Sequence, residues 1–203
     1  MSDDFKKLRI CALLLMFLLF QGCASSSATK IKDGALALVG LVPAESLSKA
    51  ATAPAKPTRV EVFAGRNLNA DERQRPMAVV IKFYRLRDPA AFMQAPYELL
   101  ADGLAEKGAL ASDVIEVKEL VVTPGQEVVR QEMLAGDATY LGVVALFRKP
   151  HPDRWRLVFS GSDPVNANGV VLGAHACAMT VSRGVPFNAQ LVNAGSLGGV
   201  SCK

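Results

Sequence analysis

The sequence predicts a mostly β fold, a β-sandwich with a short helical insertion, and three observations carry that prediction. From Arg59 onward, branched and aromatic residues alternate with polar ones in a series of short runs. The runs are punctuated by Pro, Gly, Asn and Asp in turn-forming positions. The alternation breaks once, after Asp88-Pro89, where apolar residues fall at three- and four-residue spacings up to about Lys107. Seven or so strands with one helical excursion suit two packed sheets.

The segment ahead of this domain has a different texture. Lys6, Lys7 and Arg9 lead into an apolar run of 11 residues, Ile10 to Phe20, that stops at Gln21-Gly22-Cys23. A basic start, a short apolar stretch and a small residue before a cleavage point make a bacterial secretory signal. Its apolar run falls short of the roughly 18 residues of a spanning helix. Cysteine as the first residue after the cut predicts a lipoprotein signal over residues 1–22 and a diacylglycerol thioether on Cys23. A plain secretory peptide, cut nearby, would leave Cys23 an ordinary thiol. Residues 23–58 read as a lipid-anchored tether, with Ser25-Ser26-Ser27 after the cysteine and Ala, Ser, Lys and Pro dominant from Ala44 to Pro57. Ala35 to Val42 is apolar and long enough for a short helix.

The sandwich is expected over 59–183. In its first strand Val60, Val62 and Ala64 alternate with Arg59, Glu61 and Phe63. Gly65 to Pro76 is polar and reads as a long exposed loop. A second strand, Met77 to Leu86, places Val79, Ile81 and Phe83 on one face, and Lys82 and Tyr84 on the other. Asp88 is a good N-cap with Pro89 at the first helical position. The insertion, about 89–107, divides at Pro96 into two short helices whose Phe92, Tyr97, Leu99, Leu100 and Leu104 are spaced for the core. Val114 to Val122 and Val128 to Leu134 are strands joined by the turn Thr123-Pro124-Gly125-Gln126. Tyr140 to Arg148 is nearly all apolar, as a central strand covered on both sides should be. Pro150 to Asp153 turns the chain into Trp155 to Ser160, and Val170 to Ser182 makes a last strand interrupted at Gly173. The tail, 184–203, is rich in Gly and Ser, and its order depends on whether Cys202 is tied back.

Cleavage before Cys23 leaves 181 residues, enough for one domain with a core. Three of the 23 basic and two of the 19 acidic residues go with the signal, so the remainder carries a net charge near +3. No basic block interleaved with aromatics points to nucleic acid. Of four cysteines, Cys11 leaves with the signal and Cys23 takes the lipid. Cys177 and Cys202 remain, and in an oxidising compartment the expected outcome is a disulfide. A zinc site from His175, Cys177 and Cys202 would have only three ligands and no CxxC, so no metal is expected.

Nothing assembles into a catalytic set. His151 sits between prolines and His175 in an apolar strand, neither with a nucleophile at a recognisable spacing. Gly161-Ser162-Asp163 and Gly195-Ser196-Leu197-Gly198-Gly199 are not nucleophile elbows, and the second lacks the Lys-Ser/Thr ending of a phosphate loop. Asn69 and Asp71 lack the further oxygens of a calcium site. An anchored β-domain with one long polar loop, no cofactor and no catalytic set is suited to docking.

The order of residues also carries a resemblance. Asn67-Leu68-Asn69-Ala70-Asp71, followed by Arg75-Pro76-Met77-Ala78-Val79-Val80-Ile81-Lys82-Phe83-Tyr84-Arg85-Leu86, resembles the N-x-N-x-D…G-R-P-x-P-V-V-V-R-I-Y-Q-L stretch of the type VI secretion outer-membrane lipoproteins, the TssJ (SciN) family. Ala91-Phe92, Leu99-Leu100, Pro124-Gly125-Gln126, Tyr140 through Arg148 and Trp155-Arg156 continue the match in order. The resemblance runs from about Val60 to Ser182. It implies a transthyretin-like β-sandwich with extra helices, lipid-anchored to the outer membrane and facing the periplasm. The implied partner is the periplasmic C-terminal region of the inner-membrane protein TssM. The implied partner-binding loop joins the first two strands, here around Asn67, Leu68, Asn69, Ala70 and Asp71; the plainer reading is a turn in which Asn and Asp cap their own backbone. Gln74 stands where the family has glycine, and Lys82 where it has arginine. Ala24 after Cys23, with no Asp beside the lipid, fits outer-membrane sorting. Two other functions compete with docking: carriage of a small apolar ligand, which needs an apolar cavity of about 300 Å³ or more, and hydrolysis, which lacks a nucleophile and base.

Overall fold

The computed structural model describes residues 57–134, 139–187, 191 and 193–202. The signal, Cys23 and nearly all of the tether lie outside them. Eight strands form two four-stranded sheets: β1 (Pro57–Ala64), β2 (Val79–Leu86), β3 (Val114–Val122), β4 (Glu127–Met133), β5 (Tyr140–Ala145), β6 (Arg156–Ser160), β7 (Val170–Ala174) and β8 (Met179–Arg183). One sheet has the order β4-β1-β7-β8 and the other β3-β2-β5-β6. All pairings are antiparallel except β1 with β7, whose register runs from Val60↔Val170 to Ala64↔Ala174.

Period-two patterning places the core. Val60, Val62 and Ala64 of β1 are buried while Arg59 and Phe63 are exposed, so one face of the first sheet meets the interior. They join Ile81, Phe83, Val143, Leu157 and Leu172 in one cluster that draws on both sheets. The turn at Thr123–Gln126 carries the chain from one sheet to the other, and it is closed by Gln126 N–H donating to Thr123 O at 3.1 Å. Beside it, Lys118 of β3 reaches Glu132 of β4 at 3.0 Å, and Arg130 also holds Glu132.

The insertion is three short helices, where the sequence predicts two: α1 (Ala90–Gln94), α2 (Tyr97–Ala101) and α3 (Gly103–Ala109). Asp88 does accept from Ala90 N–H at 2.7 Å, but Pro89 precedes α1 and does not open it. Asp102 starts α3 by accepting from Leu104 and Ala105 N–H. These helices cover the second sheet, so both faces of β2 are buried: Lys82 and Tyr84, on the helix side, are as buried as Ile81. Phe92 packs on Tyr84 with ring centroids 4.8 Å apart. It also lies so near Gly142 that a Cβ there would fall 2.7 Å from the ring, so this strand glycine marks a close approach. Leu104 departs from the expected core and is exposed.

Two further differences have local causes. β5 stops at Ala145, short of Arg148: the Phe147 N–H turns back onto Ala145 O, and the Arg148 N–H goes to the Asn69 side chain. The stretch 170–182 is a pair of strands, β7 and β8, reversed through His175–Ala178, where His175 N–H donates to Ala178 O at 3.0 Å. No Gly or Pro marks that reversal in His175-Ala176-Cys177-Ala178. A fourth helix, α4 (Pro164–Ala167), is capped by Asp163, which accepts from Val165 N–H.

Cys177 and Cys202 are bonded, with Cα atoms 5.6 Å apart, closing a separation of 25 residues. Asn193 and Ala194 of the tail lie at the outer edge of β8, where Val181 N–H donates to Ala194 O at 2.9 Å and Arg154 bonds the Asn193 and Ala194 carbonyls. A covered edge is protected from pairing with another chain.

Candidate partner-docking surface

The β1–β2 connection, residues 65–78, is polar in sequence yet internally built. Its first turn is closed by Leu68 N–H on Gly65 O at 3.0 Å, and its base is sewn to the β7–β8 reversal by Gly65 N–H on Ala174 O and Asn69 N–H on His175 O. Leu68 is fully buried, and Asn69 and Asp71 are nearly so. The expectation of an exposed loop is therefore corrected at these three positions. Arg66 and Asn67, and the run 72–78, stay exposed, and Ala70 is half-buried.

Each buried polar residue has an identifiable task. Asn69 donates from Nδ2 to Ala78 O at 2.8 Å and accepts at Oδ1 from Arg148 N–H at 2.8 Å. It takes a left-handed φ of 46°, which Asn tolerates better than most residues. Asp71 Oδ1 accepts from the N–H groups of Arg73 and Arg75, each at 2.9 Å, while Oδ2 meets the Arg75 guanidinium at 2.6 Å. Asn and Asp thus cap their own loop, as the plainer reading has it.

The Arg75 side chain, with backbone donors adding to it, holds the Asp71 carboxyl below the usual carboxylate range. A carboxylate favoured by the fold contributes stability above the unfolded value of about 4, and that contribution is lost as pH falls through the lowered value. Acidification below about pH 4 should therefore loosen residues 71–75 ahead of the sheets. Hydrogen exchange at the Arg73 and Arg75 amides would read this, and protection independent of pH would contradict it.

Gln74 N–H donates to Asp71 O at 2.9 Å, and Gln74 has φ of 61°. Left-handed backbone costs a side chain about 1–2 kcal/mol, against about 0.5–1 kcal/mol of extra chain entropy lost by glycine. Gln74→Gly is expected to stabilise the domain slightly, by about 0.5 kcal/mol, as read from its urea midpoint; a loss would contradict the strain.

The loop shares its surface with the β5–β6 connection. Glu72 lies 3.5 Å from Arg148 and 3.3 Å from Lys149, and Arg148 also contacts Met77 Sδ. A hollow of about 260 Å³ opens between the loop and the disulfide, with Asp71, Gln74, Lys149, Cys177 and Cys202 on its walls. Of the five loop residues singled out from sequence, Asn67 and Ala70 are at the surface, and Leu68, Asn69 and Asp71 hold its shape. Sequence reasoning missed Arg148, which reads only as the end of a strand, and Lys149, which falls between that strand and the following turn.

A larger hollow, about 560 Å³, runs along α3 and β3. Its wall mixes the charged Asp102, Glu106, Lys107 and Glu119 with the apolar Leu104, Leu110, Val114 and Val117. His175 Nε2 pairs with Thr180 Oγ1 at 3.1 Å, and burial lowers its pKa. Among the described residues no group of three or more His, Cys, Asp or Glu is placed to hold a metal.

The family model described as type VI secretion lipoprotein, VasD, EvfM, TssJ matches residues 56–177. The chain belongs to this family. Among solved structures, this type VI secretion lipoprotein is similar to the TssJ1 lipoprotein from Pseudomonas aeruginosa, at 26% identity and a TM-score of 0.55, over 63% of this chain and 97% of that one. It is similar to a chain of a type VI membrane complex at 25% identity and a TM-score of 0.56, over 62% and 97%. A chain from the structure described as the TssM C-terminal domain from EAEC matches at 26% identity and a TM-score of 0.53, over 61% and 98%. No curated protein matches the sequence. The lipoprotein family and the β-sandwich expected from the residues are thereby shown, and the family is a structural component of the secretion system.

Proposed function

We propose that this type VI secretion lipoprotein is exported, lipidated on Cys23 and held at the periplasmic face of the outer membrane. There its sandwich docks the secretion membrane complex by binding the periplasmic part of the inner-membrane protein TssM. The family match over 56–177 carries the reading. Similarity to chains from a type VI membrane complex and from the TssM C-terminal domain structure supports the choice of partner. The β1–β2 loop is the proposed contact, made by Arg66, Asn67, Ala70 and the exposed run from Glu72 to Arg75, on a frame set by Leu68, Asn69 and Asp71.

Radioactive palmitate labelling of wild type and Cys23→Ser, followed by membrane fractionation, tests the anchor. Label and outer-membrane recovery in the wild type, both lost in the variant, are expected; an unlabelled wild type would remove the anchor. Binding to the purified TssM periplasmic part tests the partner. Asn67→Trp adds bulk at an exposed position and should weaken binding at least about tenfold with unchanged melting. Full affinity in that variant would move the contact off the loop.

A further inference from the structure

We infer that the partner presents an acidic protein surface to this chain, and that the β5–β6 connection meets it together with the β1–β2 loop; the choice of probe rests on the reading above. Asn69 makes the two segments one body, since a single side chain bonds Ala78 O and the Arg148 N–H. On that body stand Arg66, Arg73 and Arg75 from the loop, with Arg148 and Lys149 from the connection. The acids there are Asp71, Glu72 and, further along the connection, Asp153. They do not balance the surface locally. The Asp71 side chain is only 4% exposed and is turned inward onto Arg75. Glu72 is divided between Arg148 and Lys149. Arg66 and Arg73 are exposed, and neither has a carboxylate partner among the described residues.

Clustered cations of this kind steer an acidic surface into contact, acting chiefly on the association rate. A lipid surface would attract a mobile basic segment equally well and needs no fixed geometry. Here the cations ride on backbone held by Asn69 and Asp71, beside the 260 Å³ hollow that can receive a side chain from a folded partner. Cations fixed on a built frame, with Lys149 on the wall of that hollow beside Asp71 and Glu72, favour a protein.

The test uses the full lipoprotein in detergent and the purified TssM periplasmic part, with binding rates followed from about 50 mM to about 500 mM salt. The wild-type association rate should fall at least about tenfold across that range. Arg66→Glu with Arg73→Glu should weaken binding at least about tenfold, the Gln pair less, and Lys149→Glu should weaken it separately. Lys107→Glu, on α3, should leave it unchanged, and all variants should melt like wild type. Binding insensitive to salt and to these reversals would overturn the acidic face while leaving the partner in place. No wild-type binding at any salt would overturn the partner and this inference with it. Loss of binding to phosphatidylcholine vesicles containing phosphatidylglycerol in the Glu pair, with protein binding intact, would assign the cations to the membrane and overturn the inference.

Discussion

Glu106→Ala should destabilise the domain by about 3–5 kcal/mol, because it strands a buried ammonium. Lys82 Nζ meets Glu106 Oε2 at 2.6 Å, and both side chains are almost wholly out of water. Its other carboxylate, Glu119 Oε1 at 3.2 Å, belongs to a side chain that is 57% exposed and cannot replace the lost partner. The Tyr84 hydroxyl is buried beside this pair, and burial, with the Glu106 carboxylate next to it, pushes the phenol well above its ordinary value. The pair fastens α3 to β2, so its loss should also loosen the helical insertion. Domains of this kind are stable by only about 5–15 kcal/mol in total, which makes the effect large. Replacing both charges, Lys82→Met with Glu106→Leu, should restore much of the loss, since the cost lies in the uncompensated charge. Urea unfolding of Glu106→Ala and of the double variant distinguishes these outcomes. A Glu106→Ala loss below about 1 kcal/mol would mean the ammonium finds water.

The second large effect is expected at Arg156. Its guanidinium donates to the carbonyls of Phe92 at 2.5 Å, Ala95 at 2.6 Å and Met93, at the carboxyl end of α1. It also sits 4.7 Å from the Trp155 ring centre and 5.8 Å from that of Phe92. Charge on a helix C-terminus is favourable, and each charge-assisted bond contributes about 1.5–3 kcal/mol, less than additively when they share one group. Arg156→Ala should therefore cost about 3–5 kcal/mol, a drop of roughly 10 °C in melting temperature for a domain of this size. Arg156→Lys should recover only part, because an ammonium cannot span three carbonyls with a planar fork. If both variants melt alike within about 2 °C, the fork geometry is not what holds α1.

Much of this architecture can be read from the residues, and the places where it cannot have physical explanations. Strands with clean alternation, such as Val60 to Ala64, announce both their extent and their buried face. The turn Thr123–Gln126 is marked by Pro and Gly, but its role in crossing between sheets is not, since turn chemistry is blind to which sheet follows. The β7–β8 reversal is hidden because His175 to Ala178 carry no breaker, and tertiary bonds to Gly65 and Asn69 fix it instead. In the proposed docking loop, sequence identifies the segment but not the orientation of its side chains. Asn69 and Asp71 look like surface until Arg148 and Arg75, 79 and 4 residues away, are seen to claim them. Arg148 and Lys149 are invisible as surface partners for the same reason, since their place depends on a contact with a distant loop.

The place of β1 bears on how the molecule would transmit force. The proposed tether would lead into Pro57, the amino end of β1, and the proposed docking loop leaves from Ala64, its carboxyl end. Seven extended steps separate the two points by about 23 Å. β1 is flanked by β4 on one side and β7 on the other, so a pull between membrane and partner runs along a strand bonded on both edges. Such a load must shear many backbone hydrogen bonds together and cannot peel them one at a time. Resistance to a pull would then be set by the rate of unfolding rather than by equilibrium stability. β1 would act as a tie-rod, with the lipid at one end of the line and the partner at the other.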